Sequence, residues 1–196
     1  MTIQETLKKA KEKFNKAKIK NPHIDAEILL SGILKKEREF LLIHSEKKLT
    51  KLQSEKFNKL ISRRIKGEPV AYLIGYKYFY GNKFAVNKDV LVPRPETEMF
   101  IQNVERITHN KKNNIIIDAG TGSGCIIISL AKSIKESSSG YPELDSYDFF
   151  GIDVSRKALK VAKKNAELNH VDEKIEFLHG DLLEPILKSK ILNIKL

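Results

Sequence analysis

Three glycines at alternate positions follow an aspartate in Asp118-Ala119-Gly120-Thr121-Gly122-Ser123-Gly124. Glycine lets the backbone approach a ligand closely and take positive φ. A helix predicted to begin near Gly124 aims its unpaired N–H groups at the same place. The run before the loop, Ile115 to Ile117, is wholly apolar, as expected of a buried parallel strand. A nucleotide-like ligand at the carboxyl end of that strand is therefore the physical expectation. The spacing is G-x-G-x-G, not the G-x-G-x-x-G of dinucleotide binders, and no Lys-Ser/Thr ending marks a phosphate loop. A ligand without a pyrophosphate fits better. S-adenosylmethionine (AdoMet) offers a sulfonium, a carboxylate and an amine instead. On this reading Asp118, Gly120, Thr121, Gly122, Ser123 and Gly124 hold the cofactor.

Two further acidic residues are expected at neighbouring strand ends. Asp153 closes the predicted strand Phe149 to Ile152, where a carboxylate can accept from both ribose hydroxyls. It lies beyond the usual spacing of ~20 residues from the loop, and the polar stretch Glu136 to Asp148 reads as a surface insertion. Ser155 is available to cap the next helix, which leaves Asp153 for the ribose. Asp181, with Leu182, follows a third strand, Ile175 to Leu178. It is placed beside the adenine, or else serves as an ordinary turn residue. The five histidines show no metal-ligand spacing, so no metal is assigned. The lone Cys125 packs at a helix start, where the helix N-terminus can lower its pKa.

These groups are positioned by a strand–helix–strand–helix–strand pattern, which implies right-handed crossovers and a parallel sheet. The fold class is α/β, a Rossmann-like class I AdoMet-dependent methyltransferase domain. A small helical module comes first, with helices over Thr6 to Lys18, Asp25 to Leu30, Glu37 to His44, and a longer one opened by the Thr50–Gln53 capping-box spacing and closed by Gly67. Gly81-Asn82 signals a hairpin between Tyr76 to Tyr80 and Lys83 to Val86. Pro93-Arg94-Pro95 forces an extended segment. The expected divisions are 1–67, a helical substrate-recognition domain; 68–95, a hairpin linker; and 96–196, the amino-terminal half of the AdoMet-binding domain.

The 196 residues carry 41% apolar residues and a net charge of +11. That is a globular composition with a basic surplus. The surplus reads either as attraction to an anionic partner or as lysine drift on a solvated surface. A single cysteine and the lack of a signal peptide fit the cytoplasm. No stretch is apolar and long enough to span a membrane.

The segment Gly67-Glu68-Pro69-Val70-Ala71-Tyr72-Leu73-Ile74-Gly75, with Phe79 and Leu91-Val92-Pro93-Arg94-Pro95-Glu96-Thr97-Glu98, is distinctive. With the glycine loop and Gly151-Ile152-Asp153-Val154-Ser155, it closely resembles the HemK/PrmC family. That resemblance runs from about Ile24 to about Pro185. It implies methylation of the glutamine side-chain amide (N5) in the GGQ motif of peptide-chain release factors. It also implies that Arg94, Pro95 and Glu98 line the active-site wall, with an Arg94–Glu98 ion pair as the competing role.

The family's catalytic Asn-Pro-Pro-Tyr motif is absent, so no catalytic residue is assigned. Of six prolines, only Pro22 follows an asparagine, and His23 comes next. The chain therefore reads as a truncated form, its end falling about where a fourth strand should begin. The strand Ile115 to Ile117 would then be a bare apolar edge, prone to self-association. A sister activity on a ribosomal protein and a non-catalytic AdoMet-binding remnant are the alternatives. A nucleic-acid amino methyltransferase suits the charge, but no target-recognition segment is visible.

Overall fold

A computed structural model describes residues 1–108, 114–136 and 147–189. The stretch read as a surface insertion lies largely outside these residues, as does the apolar run Ile191 to Leu196. Contacts divide the chain into two compact units, Met1–Ile74 and Gly75–Leu196.

The first unit is helical: α1 (Ile3–Lys16), α2 (Pro22–Leu34), α3 (Arg38–Ile43), α4 (Lys51–Ile65) and α5 (Val70–Ile74). α1 starts earlier than the sequence pattern implies, because Thr2 and Glu5 form a capping box. Its buried residues, Ile3, Thr6, Ala10 and Phe14, recur at helical spacing. α2 departs from expectation at both ends. Pro22 occupies the first helical turn, so the helix begins ahead of Asp25. Asp25 lies inside the helix, and its carboxylate accepts from Arg64 Nε of α4 at 2.8 Å. Gly32 lies inside the helix, where an added Cβ would sit 3.3 Å from Ile74 Cγ2. That glycine marks a close helix–helix approach, and the helix continues past it to Leu34. α4 has the expected Thr50–Gln53 box, and Gly67 follows it with φ +93°.

The net charge is unevenly divided. The first 74 residues hold 18 of the 36 Lys and Arg but 9 of the 25 Asp and Glu, leaving +9 there and +2 in the rest. The unit's three arginines pair with Glu27, Glu68 and Asp25. Its lysines make no ion pair among the described residues, so the surplus is a lysine surface confined to this unit.

The second unit opens with an antiparallel hairpin, β1 (Tyr76–Phe79) and β2 (Asn82–Ala85). The turn is Tyr80-Gly81, one residue earlier than Gly81-Asn82, with φ of 47° and 71°. Such values suit a two-residue hairpin turn. Tertiary contacts hold a tyrosine in this rare conformation. Its N–H donates to Glu98 Oε1 at 2.9 Å, its hydroxyl to Glu105 Oε2 at 3.1 Å, and its carbonyl accepts from Asn82.

The hairpin expected as a separate linker belongs with the second unit, and the helical unit runs to residue 74 rather than 67. The reason is burial. Phe79 and Phe84 enter one core with Ile101, Ile127, Ile128 and Phe149. Each phenylalanine is essentially fully buried and contributes about 1.5–3 kcal/mol of apolar burial.

After Pro93, α6 (Glu98–Thr108) leads to β3 (Asn114–Ala119), α7 (Cys125–Glu136), β4 (Tyr147–Asp153), α8 (Arg156–Leu168), β5 (Ile175–His179) and α9 (Glu184–Ser189). The sheet is parallel with strand order β3-β4-β5. Among the described residues β3 is an edge strand, and Ile115 on it is 44% exposed.

Candidate functional site

Strand register gathers the candidate residues. Asp118 and Ala119 of β3 lie opposite Gly151 and Ile152 of β4, and Asp153 lies opposite His179 of β5. The carboxyl ends of three parallel strands thus meet, with the glycine loop between β3 and α7. Gly151 is required at this point, since an added Cβ would fall 2.7 Å from the Phe177 ring.

The loop is bound to the end of β4. The N–H groups of Gly120 and Thr121 both donate to Ile152 O at 2.8 Å. Gly122 N donates to Asp153 Oδ2 at 2.9 Å, while Ser155 N donates to Oδ1 at 2.8 Å. Ser155 caps α8 through Ala158 N, as expected. Asp153 therefore sets the loop's position and remains half-buried. Gly120, Gly122 and Gly124 all take positive φ. The three differ in what surrounds them. A Cβ on Gly120 would meet nothing within 4 Å, and one on Gly122 only the Gly120 carbonyl at 3.9 Å. One on Gly124 would strike Ile128 at 2.7 Å and Ala162 at 3.2 Å. The first two face open space and the third is packed shut.

Asp118 accepts from Thr121 Oγ1 at 2.8 Å. Burial pushes its carboxyl above the ordinary range, the Thr121 hydrogen bond opposes this, and the nearby Asp153 charge adds to the rise. Two carboxylates at one loop make a site that a cation relieves. Because the folded pKa is raised, ionised Asp118 is a cost. That cost is absent below the ordinary carboxylate pKa and fully present once pH passes the folded value. Asp118→Asn keeps an acceptor for Thr121 and removes the charge. It is expected to stabilise the ligand-free chain at pH 7 by about 0.5–2 kcal/mol, with the gain vanishing toward pH 4. Urea denaturation at both pH values checks this, and equal gains at the two would contradict it.

Cys125 begins α7, but burial pushes its thiol up to about 11, against hydrogen bonds from Ser123 and the helix start. The helix N-terminus does not win, because desolvation of the partly buried thiol outweighs it. Its reaction with a thiol reagent at pH 8 should be at least about tenfold slower than in the denatured chain. Equal rates would show that the group is accessible.

Asp181 and Leu182 follow β5, and both are exposed. Gly180 N donates to Asp153 O at 3.2 Å, which brings this turn to the same end of the sheet. Leu182 holds φ at +44°. Pro93 is buried, while Arg94 and Pro95 are exposed. Glu98 is engaged with the Tyr80 N–H. Among the described residues Arg94 forms no ion pair with it. The sequence reading missed Tyr80, Glu105 and Asn165. Ser133 Oγ and Tyr80 hydroxyl both donate to Glu105, joining α7, the hairpin turn and α6. Asn165 of α8 is fully buried. No local pattern marks any of the three.

A glycine loop after the first strand of a parallel sheet, with a carboxylate closing the second, is the arrangement of a nucleotide-binding α/β fold, and the match to a methyltransferase domain makes it the class I methyltransferase fold. Residues 110–193 match the family model described as Methyltransferase domain, and residues 5–75 match that described as PrmC N-terminal domain. A release factor glutamine methyltransferase of Aliivibrio fischeri is 32% identical over 195 residues, covering 99% of this chain and 64% of that protein. One of Bacillus cereus is 36% identical over 167 residues, covering 83% and 54%. A bifunctional methyltransferase of Rickettsia felis is 34% identical over 216 residues, covering 96% and 39%. The chain is thus similar to the HemK/PrmC family over nearly its whole length. It spans less than two thirds of the length of these relatives.

Proposed function

We propose that this chain carries the cofactor-binding part of an AdoMet-dependent enzyme that methylates the glutamine amide of the GGQ motif in release factors. The observation that carries the reading is the likeness to release factor glutamine methyltransferases across both units, 99% of the chain in one case. The site fits the cofactor. Open space lies over Gly120 and Gly122, and the paired carboxylates Asp118 and Asp153 favour a cationic ligand. When bound, AdoMet supplies an electrophilic methyl group. The chain's own residues orient it. Asp118, Gly120, Thr121, Gly122, Ser123 and Gly124 form the cradle, Asp153 accepts from the ribose, and Asp181 with Leu182 borders the adenine. Arg94, Pro95 and Glu98 form the wall toward the substrate, with Glu98 acting through the hairpin turn it holds.

The helical unit is the substrate-docking part in this reading, and the release factor is its partner. Its +9 charge fits an acidic protein surface. The β3 edge, unpaired among the described residues, offers a site for strand pairing between copies of this chain at high concentration. Among the described residues no helix is long and apolar enough to cross a membrane, and no side-chain cluster could hold a metal. A role on release factors places the protein in the cytoplasm.

The deciding experiment supplies labelled AdoMet and purified release factor to the protein encoded by the whole gene. Label on the GGQ glutamine supports the reading. Label only on a ribosomal protein or nucleic acid overturns the substrate. Failure of residues 1–196 to bind AdoMet overturns the cofactor.

A further inference from the structure

Asparagine is a poor residue for a helix interior, because its amide competes for backbone hydrogen bonds. Asn165 nevertheless lies in α8 and is fully buried. Its amide bonds two elements far away in sequence. Oδ1 accepts from Ala85 N at 2.7 Å, and Nδ2 donates to Ala85 O at 3.0 Å and to Ser123 O at 2.8 Å. The two bonds to Ala85 pair both polar groups of one residue of β2, as a neighbouring strand would. They also fix which end of the amide is oxygen, since a flipped amide would set N–H against N–H and oxygen against two carbonyls.

The third bond reaches the glycine loop. Ser123 sits between Gly122 and Gly124 and is 3% exposed, so its carbonyl would be buried and unpaired without Asn165. On the other side, Gly122 N is held by Asp153. The loop is thus clamped at two successive residues, once from β4 and once from α8. Three glycines in seven residues give it little stiffness of its own. Asn169, one turn later, is the natural comparison. Its amide donates to Lys83 O at 3.1 Å and to Asn165 O at 2.8 Å. It ties α8 to the hairpin and makes no bond to the loop.

We propose that Asn165 is a positioning residue for the cofactor site, setting the Gly122–Gly124 backbone by reference to the hairpin strand β2. This rests on the reading that the loop holds AdoMet. The cofactor cradle and the hairpin then keep one geometry, because a single side chain bonds both.

The test uses the whole chain with Asn165→Ala and Asn169→Ala. Three quantities are read: S-adenosylhomocysteine affinity by calorimetry, amide exchange over residues 120–125 without ligand, and stability to urea. Asn165→Ala is expected to weaken affinity about tenfold and to speed exchange in the loop. Asn169→Ala is expected to lose stability while keeping affinity within about twofold of the parent and loop exchange unchanged. If Asn165→Ala does not fold, Asn165→Ser gives the same comparison with one donor kept. Unchanged loop exchange in the Asn165 variant overturns the proposal, as does an equal loss of affinity in both variants. Should the parent chain bind neither AdoMet nor S-adenosylhomocysteine, the cofactor reading falls, and loop exchange alone decides whether Asn165 sets the loop.

Discussion

Asp153→Ala is expected to weaken AdoMet binding by about 100-fold or more. A hydrogen bond to a charged group contributes about 1.5–3 kcal/mol, and each 1.4 kcal/mol is a tenfold change in affinity. Asp153 has two tasks that alanine cannot perform. Its carboxylate is the expected acceptor for the ribose hydroxyls, and it already accepts from Gly122 N at 2.9 Å and Ser155 N at 2.8 Å. Losing it removes a ligand contact and frees the loop together. Ser155 still caps α8 through Ala158, so the helix is expected to survive. Calorimetric titration with S-adenosylhomocysteine is the check. Affinity within about threefold of the parent would mean that the ribose is held elsewhere.

Gly124→Val is expected to destabilise the second unit by about 3 kcal/mol, through backbone strain and overpacking together. φ at this position is +77°, and the new Cβ would fall 2.7 Å from Ile128 and 3.2 Å from Ala162. The Ile128 methyl can turn aside, but Ala162 on α8 has no freedom to do so. Gly120→Ala is the informative partner. Its φ is +80°, yet nothing lies within 4 Å of the added atom. It should cost only about 1–2 kcal/mol of left-handed strain while reducing cofactor affinity, since the methyl enters the open cradle. Urea denaturation of the two variants separates packing from ligand space. A Gly124→Val chain within about 1 kcal/mol of the parent would show that the loop yields more readily than its contacts imply.

Local signals carried the sequence reading a long way. The apolar run before Asp118, the alternate glycines, the Thr50–Gln53 box and Ser155 ahead of α8 each act over a few residues, so each is visible in the string. From them followed the strand–helix–strand–helix–strand alternation, the loop, and the joint placement of Asp118 and Asp153. Only the tertiary structure could decide the rest. Tyr80-Gly81, not Gly81-Asn82, forms the hairpin turn because Glu98 and Glu105 hold Tyr80 from α6. Gly32 stays inside α2 because α5 packs onto it. Cys125 is held as a thiol because burial outweighs the helix end beside it. Asn165 reaches Ala85 and Ser123, 80 and 42 positions away. Periodicity and capping depend on neighbours in the chain. Pairing of buried polar groups and crowding around a glycine depend on neighbours in space.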